Sequence, residues 1–286
     1  MKDKRHTYKP MRALLLSYFE LWIHSPRTIL MGLVLLATTY VTVYSYGKGL
    51  AYFQYSMHLG ESIVWFSMTG FNSISLSSLT FLVAVSELPR RIPFQQYSIM
   101  RISRKKWMLS LILYCFLMVI AVILLITVFA AIFLLQYTTP GDGWSDTIRI
   151  QNGMAEELAY IPSWIRENYQ PWQAALLALV PIFFFWIAMV LTILFFSVIG
   201  HPSIGVSIFA VILFSGLIFV FENFPNFQPP MTFSTLVRIV SKHEGTYAER
   251  LSRVFIGYIG LIVGQVFAMV LVSRRVDIPT YSLEKD

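Results

Sequence analysis

The sequence predicts an all-α integral membrane protein with six transmembrane helices, both termini in the cytoplasm, and an amphipathic interfacial helix before the first span. Two observations indicate the spans: apolar runs without charged residues alternate with charged loops, and 56% of the residues are hydrophobic while 13% are charged. A helix rises ~1.5 Å per residue, so about 20 apolar residues cross a ~30 Å hydrocarbon core. A third observation, the unequal distribution of Lys and Arg among the loops, gives the orientation.

The first predicted element is an interfacial helix over residues 11–23. Its apolar residues recur at spacings of three and four, and polar residues occupy the other faces. The apolar set is Leu14, Leu15, Tyr18, Phe19 and Trp22. Pro26 marks the end of this helix, so residues 1–27 form a cytoplasmic segment ahead of the membrane domain.

The transmembrane domain is predicted over residues 28–273 and is followed by a cytoplasmic tail over 274–286. Residues 168–221 contain no Asp, Glu, Lys or Arg, but the turn-like Gly200-His201-Pro202-Ser203 divides them into two helices. The six predicted spans are 28–47, 62–86, 107–136, 173–199, 204–222 and 254–273.

Loop charge orients these spans. Fifteen of the 22 Lys and Arg residues fall in the amino-terminal segment, the loop 87–106 and the tail, and seven fall in the opposite loops, which include 137–172 and 223–253. The positive-inside rule therefore places both termini in the cytoplasm. Trp22 and Trp107 are predicted at the inner boundary, and Tyr44, Tyr46 and Trp172 at the outer one, where amphipathic rings prefer to lie.

Several classes of function are disfavoured by the residues. The single Cys115 excludes an internal disulfide, and the five histidines show no paired spacing for a metal. Neither Ser163 nor Ser203 has the context of a nucleophile, and Glu156-Glu157 is not followed by a His at ligand spacing. The basic residues flank spans on one side, so we expect no nucleic-acid partner. We expect a chain that is not an enzyme and binds no metal or cofactor.

The loop 87–106 between the second and third spans is the sharpest local feature. Pro93 suits the first turn of a short helix, Phe94 and Tyr97 can present an apolar face among cations, and Ser103 suits an N-cap for the third span. Two interpretations fit these residues. The cations are lipid-facing anchors, or the loop is a docking helix for a cytoplasmic partner.

These features together resemble the permease subunit of a type 2 ABC exporter. The residues that carry the resemblance are Glu87 and the Ser103-Arg104-Lys105-Lys106-Trp107 start of the third span, in a chain of six spans with an interfacial helix ahead of the first. In that family the loop after the second span resembles a coupling helix that fits a cleft on a separate ATPase. The resemblance implies docking through Glu87, Arg90, Arg91, Phe94, Tyr97, Arg101 and Arg104, with His201 as a second contact.

The resemblance also implies partners and a location. The chain has no Gly-x-x-x-x-Gly-Lys-Ser/Thr motif, so ATP and Mg would be bound by cytoplasmic P-loop ATPase subunits. A second permease subunit, identical or different, and membrane lipid would complete the assembly in a bacterial plasma membrane. The cargo would be an amphipathic, peptide-like or lipid-like molecule. The loop 137–172 is longer than expected for the family, and it reads either as a solvated cap or as an acidic, aromatic guide for a cationic peptide.

Two alternatives remain open. An ion-coupled secondary transporter would need ionisable residues near the middle of its spans, and the predicted spans have none there. A non-transport membrane regulatory subunit would use the same topology. Within the second span, a set of polar residues can line a pathway or a dimer seam, or serve interhelical hydrogen bonds. The set is Ser67, Asn72, Ser75 and Ser78.

Overall fold

The structure is a computed structural model that describes residues 8–52, 56–58, 60–61, 63–64, 71–86, 88, 103–139, 141, 143–145, 163–221 and 247–273. This part of the chain is helical nearly throughout. It contains no β-strand, and an isolated parallel bridge joins Met57 to Thr138. The prediction of an all-α protein is therefore confirmed for the described residues.

Eight α-helices are described. They are α1 Tyr8–Ile23, α2 Pro26–Tyr52, α3 Phe71–Val85, α4 Arg104–Leu134, α5 Ser163–Asn168, α6 Pro171–Ile199, α7 Pro202–Phe221 and α8 Tyr247–Val272. A 3₁₀ turn over Leu135–Tyr137 continues α4. Each predicted span overlaps one of these helices, and within the predicted span 62–86 the structure describes residues 63–64 and 71–86.

Three described stretches are long and apolar enough to cross a membrane. They are Arg104–Tyr137, Pro171–Ile199 and Phe255–Val272. The helices Met11–Ile23 and Pro26–Val41 meet at a bend of 62° and make a fourth span if the pair counts as one. Leu76–Val85 and Pro202–Phe214 are shorter apolar helices. The chain is thus a membrane protein with three or four candidate spans among its described residues, and the count of six stays a prediction.

Pro and Gly residues delimit the long helices. Pro171 begins α6 after Gln170, whose backbone N–H donates to Gln173 Oε1 at 3.0 Å in a capping box. Gly200 ends the same helix with φ of +97°, a left-handed conformation that favours glycine because it has no Cβ. Pro202 then begins α7, as the turn-like sequence predicts.

The helices alternate in direction between two ends of a bundle. Arg27 Nη1 donates to Ser86 Oγ at 2.9 Å, which joins the start of α2 to the end of α3. At the opposite end, Met57 follows α2 and bonds to Tyr137 and Thr139 after α4. We call the first the Arg27 end. We call the second the Glu61 end, after a buried glutamate that is described in the next subsection.

The carboxy-terminal helices follow the same pattern. Contacts of Phe184 with Phe255 and of Thr192 with Gln265 show that α8 runs parallel to α6. Because α6 begins at the Glu61 end, both helices finish at the Arg27 end. The last turn of α8 therefore lies at the same end of the bundle as the start of α2.

Helices α4 and α6 form the centre of the bundle. Helix α4 packs against α1, α2, α6 and α8, and α6 packs against α3, α7 and α8. Phe81 of α3 stacks on Trp186 of α6 with ring centroids 4.7 Å apart, and both rings are buried. Large aromatic side chains in dense contact supply much of the packing energy, so this pair fixes α3 against α6.

Candidate functional site

Helix α1 is fastened to α4 at the Arg27 end. Leu14, Tyr18 and Trp22 recur every four residues and are all buried, with Tyr18 only 1% exposed. The Tyr18 ring lies 5.4 Å from that of Tyr114, and the Phe19 ring meets the same Tyr114 edge-on at 5.2 Å. The apolar face predicted for residues 11–23 is therefore occupied by α4, and a displacement of α1 must act on α4.

The described borders of the loop 87–106 lie beside this contact. Leu88 is buried, and its N–H donates to Val85 O at 3.0 Å. Ser103 occupies the N-cap position of α4 in an extended conformation, as predicted, but its side chain makes no capping hydrogen bond. Lys105 and Lys106 are exposed in the first turn of α4. The helix dipole disfavours cations at this position, so helix stability does not explain them.

Two of the predicted docking residues are among the described residues. Arg104 is exposed and begins α4. His201 is exposed in the turn between α6 and α7, where its N–H donates to Phe196 O at 2.9 Å. The remaining predicted docking residues lie outside the described residues. They are Glu87, Arg90, Arg91, Phe94, Tyr97 and Arg101.

The polar residues predicted in the second span are described unequally. Ser78 is buried, and its Oγ accepts a hydrogen bond from Trp186 Nε1 at 2.9 Å. Asn72 and Ser75 lie in the first two turns of α3, whereas Ser67 lies outside the described residues. At Ser78 the hydroxyl thus binds a neighbouring helix of the same chain.

A second interhelical link was not predicted. Gln265 Nε2 in α8 donates to Thr192 Oγ1 at 2.7 Å and to Ala188 O at 3.1 Å in α6. Both acceptors lie within a long apolar stretch. The available signal was a lone Gln in a predicted span, because an amide in hydrocarbon needs hydrogen-bond partners.

The Glu61 end holds a buried carboxylate that sequence reasoning missed. Glu61 is 0% exposed, and its Oε2 accepts from the His58 N–H at 2.9 Å and from Ser145 Oγ at 2.7 Å. Its Oε1 accepts a short hydrogen bond from the Ser145 N–H. His58 Nδ1 donates to Gly143 O at 2.7 Å. The only sequence signal was an acidic residue directly before an apolar run, which resembles a helix-capping pattern.

Further contacts surround this carboxylate and define the Glu61 cap, which comprises the described residues of 56–64, 137–145 and 165–175. Thr139 Oγ1 donates to Ser56 Oγ at 3.2 Å, and Trp144 Nε1 donates to Tyr169 O at 2.8 Å. A Cβ on Gly141 would overlap the His58 ring, so a larger residue there would displace that ring. Beneath these bonds lies an apolar cluster of Ile63, Val64, Trp144, Ile165, Ala174 and Ala175.

Two tryptophans of the predicted loop 137–172 lie in different environments. Trp144 is buried in the apolar cluster, whereas Trp172 is 55% exposed at the start of α6. Trp144 and Ser145, near the start of this loop, are thus packed against the end of the bundle.

The described residues contain no group of three or more His, Cys, Asp or Glu side chains placed to hold a metal ion. The buried Glu61 instead accepts its hydrogen bonds from His58 and Ser145 of the same chain. Comparisons with protein-family models, with curated proteins and with solved structures found no match to this chain.

Proposed function

We propose that this chain is the membrane-spanning permease subunit of an ATP-driven ABC exporter. It moves an amphipathic, peptide-like or lipid-like cargo out of the cell with separate ATPase subunits. The observation that supports this most directly is the aromatic contact of Tyr18 and Phe19 with Tyr114, which fastens α1 to α4 beside the basic loop. An interfacial helix fixed in this way transmits a push from a cytoplasmic partner to a central span.

Four helices meet at the same end of the bundle, where α3 ends and α4 begins. The Arg27 to Ser86 hydrogen bond joins α2 to α3, and the loop itself connects α3 to α4. A partner that closes on ATP and displaces the loop therefore acts on α1, α2, α3 and α4 together. Packed helices move as units, so energy from nucleotide binding shifts the assembly between two arrangements.

Exposed cations on this chain indicate that the ATPase surface that binds it is acidic. Arg104, Lys105 and Lys106 project from the first turn of α4, where the helix dipole opposes them. An acidic cleft on the ATPase would offset that repulsion. In this proposal the Arg27 end faces the cytoplasm, six helices span a bacterial plasma membrane, a second permease subunit completes the pathway, and ATP and Mg bind to the ATPases.

The first test is co-purification of the tagged chain in mild detergent, with mass spectrometry and an ATPase assay of the eluate. A stoichiometric P-loop ATPase should accompany the chain. The double variant Phe94→Ala with Tyr97→Ala should keep its folded yield but lose most ATPase stimulation, because the apolar contacts of the docking helix are removed.

The matched control truncates an exposed aromatic residue at the other end of the bundle. Trp172→Ala should leave co-purification and ATPase stimulation unchanged. A wild-type chain that elutes without any ATPase contradicts the exporter proposal. A Phe94 and Tyr97 double variant that still stimulates its ATPase normally contradicts the docking assignment.

A further inference from the structure

Glu61 joins two parts of the chain that are 84 positions apart. Both Ser145 donors, the N–H and the hydroxyl, end on its carboxylate, and the His58 N–H holds the same group from its own side. The ends of α2 and α4 meet in the adjacent Met57 to Thr138 bridge. One fully buried side chain thus connects the segment before α3 to the segment after α4.

A buried carboxylate makes this connection close to all-or-none. The ionised group is tolerated away from water only while hydrogen-bond donors replace its hydration. If the segment 143–145 moves away, the Glu61 carboxylate loses both Ser145 donors and must accept hydrogen bonds from water instead. The closed arrangement and a hydrated, open arrangement are therefore separate states rather than a continuous range.

The cap lies where a passage through the bundle would leave it. Its apolar cluster packs Val64 against Trp144, Ile165 and the first turn of α6, and Gly60 lies against Pro171. The cap thus joins the segments that follow α2 and α4 to the start of α6. Any molecule that left between these helices at the Glu61 end would have to displace this packing.

We propose that Glu61 is a positioning residue that latches the Glu61 end of the bundle closed, and that this latch opens when the assembly turns its pathway outward. The first half concerns the chain alone. The second half rests on the proposed exporter function. The two halves are tested separately.

The test of the latch uses a thiol reporter beneath the cap. Val64 is 0% exposed, so Val64→Cys should react slowly with a hydrophilic maleimide in lipid nanodiscs, at a rate proportional to the open fraction. Glu61→Gln replaces one of the two acceptor oxygens with an NH2 donor, and the lost charge-assisted bond should raise the labelling rate about tenfold or more. Ser145→Ala, a milder change that keeps the backbone bond, should raise it by a smaller factor.

Two controls separate opening of the cap from general loss of structure. Glu167→Gln makes the same chemical change at an exposed carboxylate on the surface of the cap, which makes no bond to Glu61, and should leave the rate unchanged. Cys115 is fully buried in α4 and should stay unlabelled in every variant. If Glu61→Gln and Ser145→Ala both label Val64→Cys at the original rate, the latch is overturned.

The second half uses the assembled complex with a chain that has Glu61 intact. Mg-ATP with vanadate should raise labelling of Val64→Cys severalfold over the nucleotide-free complex, a response that a merely structural cap would not show. If the complex has ATPase activity but the labelling rate is the same with and without nucleotide, the proposal that the latch opens during transport is wrong. If no ATPase is recovered with the chain, the exporter proposal is contradicted. The labelling of the chain alone still tests whether Glu61 holds the cap closed.

Discussion

At the residue scale, the described part of the bundle joins its helices through isolated hydrogen bonds in apolar surroundings. Trp186 Nε1 donates to Ser78 Oγ, and Gln265 Nε2 donates to Thr192 Oγ1. A polar group in such surroundings that loses its partner pays the full cost of desolvation. Each of these bonds therefore selects one relative position of two helices.

The Ser78 to Trp186 bond can be measured directly. We expect Ser78→Ala to lower the free energy of unfolding by about 0.6 kcal/mol, the average for interhelical hydrogen bonds in a membrane protein, and by no more than about 1.7 kcal/mol, the maximum. The measurement is unfolding in mixed micelles with increasing SDS. A double-mutant cycle with Trp186→Phe should show coupling of similar size, because both residues act through one bond.

Ser197→Ala is the control for this cycle. Ser197 Oγ is buried and has no hydrogen-bond partner within the described part of the chain, so its removal should be neutral or slightly stabilising. Additive effects of Ser78→Ala and Trp186→Phe would show that the bond contributes nothing to stability.

At the element scale, α1 behaves as a part of the bundle rather than as a separate surface helix. Its buried stripe of Leu14, Tyr18 and Trp22 faces α4, and the opposite face, which includes Leu16, is exposed. The periodicity predicts one apolar face, but it does not say whether lipid or protein covers that face.

We expect Tyr18→Ala to detach α1, since truncation of a buried aromatic side chain costs about 3 to 5 kcal/mol. The measurement is limited proteolysis at the connection between α1 and α2 around Ser25, where cleavage should become much faster. Leu16→Ala removes an exposed side chain from the same helix and should have no effect. Equal cleavage of the two variants would contradict the packing of α1 on α4.

At the scale of the whole molecule, the arrangement of helices brings the start of α2 and the end of α8 to one end. The described contacts alone require this, because α8 runs parallel to α6. The loop charges predict that this end faces the cytoplasm.

Labelling of engineered cysteines in intact cells tests that orientation. Tyr169→Cys, exposed at the Glu61 end, should react with a membrane-impermeant maleimide added outside. Ser103→Cys, exposed at the Arg27 end, should react only after the cells are permeabilised. The reverse pattern would show that the membrane orientation is inverted and would remove the basis for cytoplasmic docking.

Within the described residues, the sequence by itself determined the long helices and most of their ends, whereas the short α5, inside the predicted loop 137–172, was not predicted. The charge-free run through α6 and α7, interrupted at Gly200 to Pro202, predicted both helices, because helix length and turn residues are local properties. The loop charges likewise predicted an orientation. These are features that each segment shows without reference to any other.

Only the tertiary structure decided which side chains meet. Glu61 looked like a boundary residue, and its burial depends on Ser145, which belongs to another loop. Helix α1, predicted to be interfacial, packs on α4 because Tyr18 lies against Tyr114. Such pairs depend on the rotation and depth of separate helices, and the energy that sets these comes from contacts between distant parts of the chain.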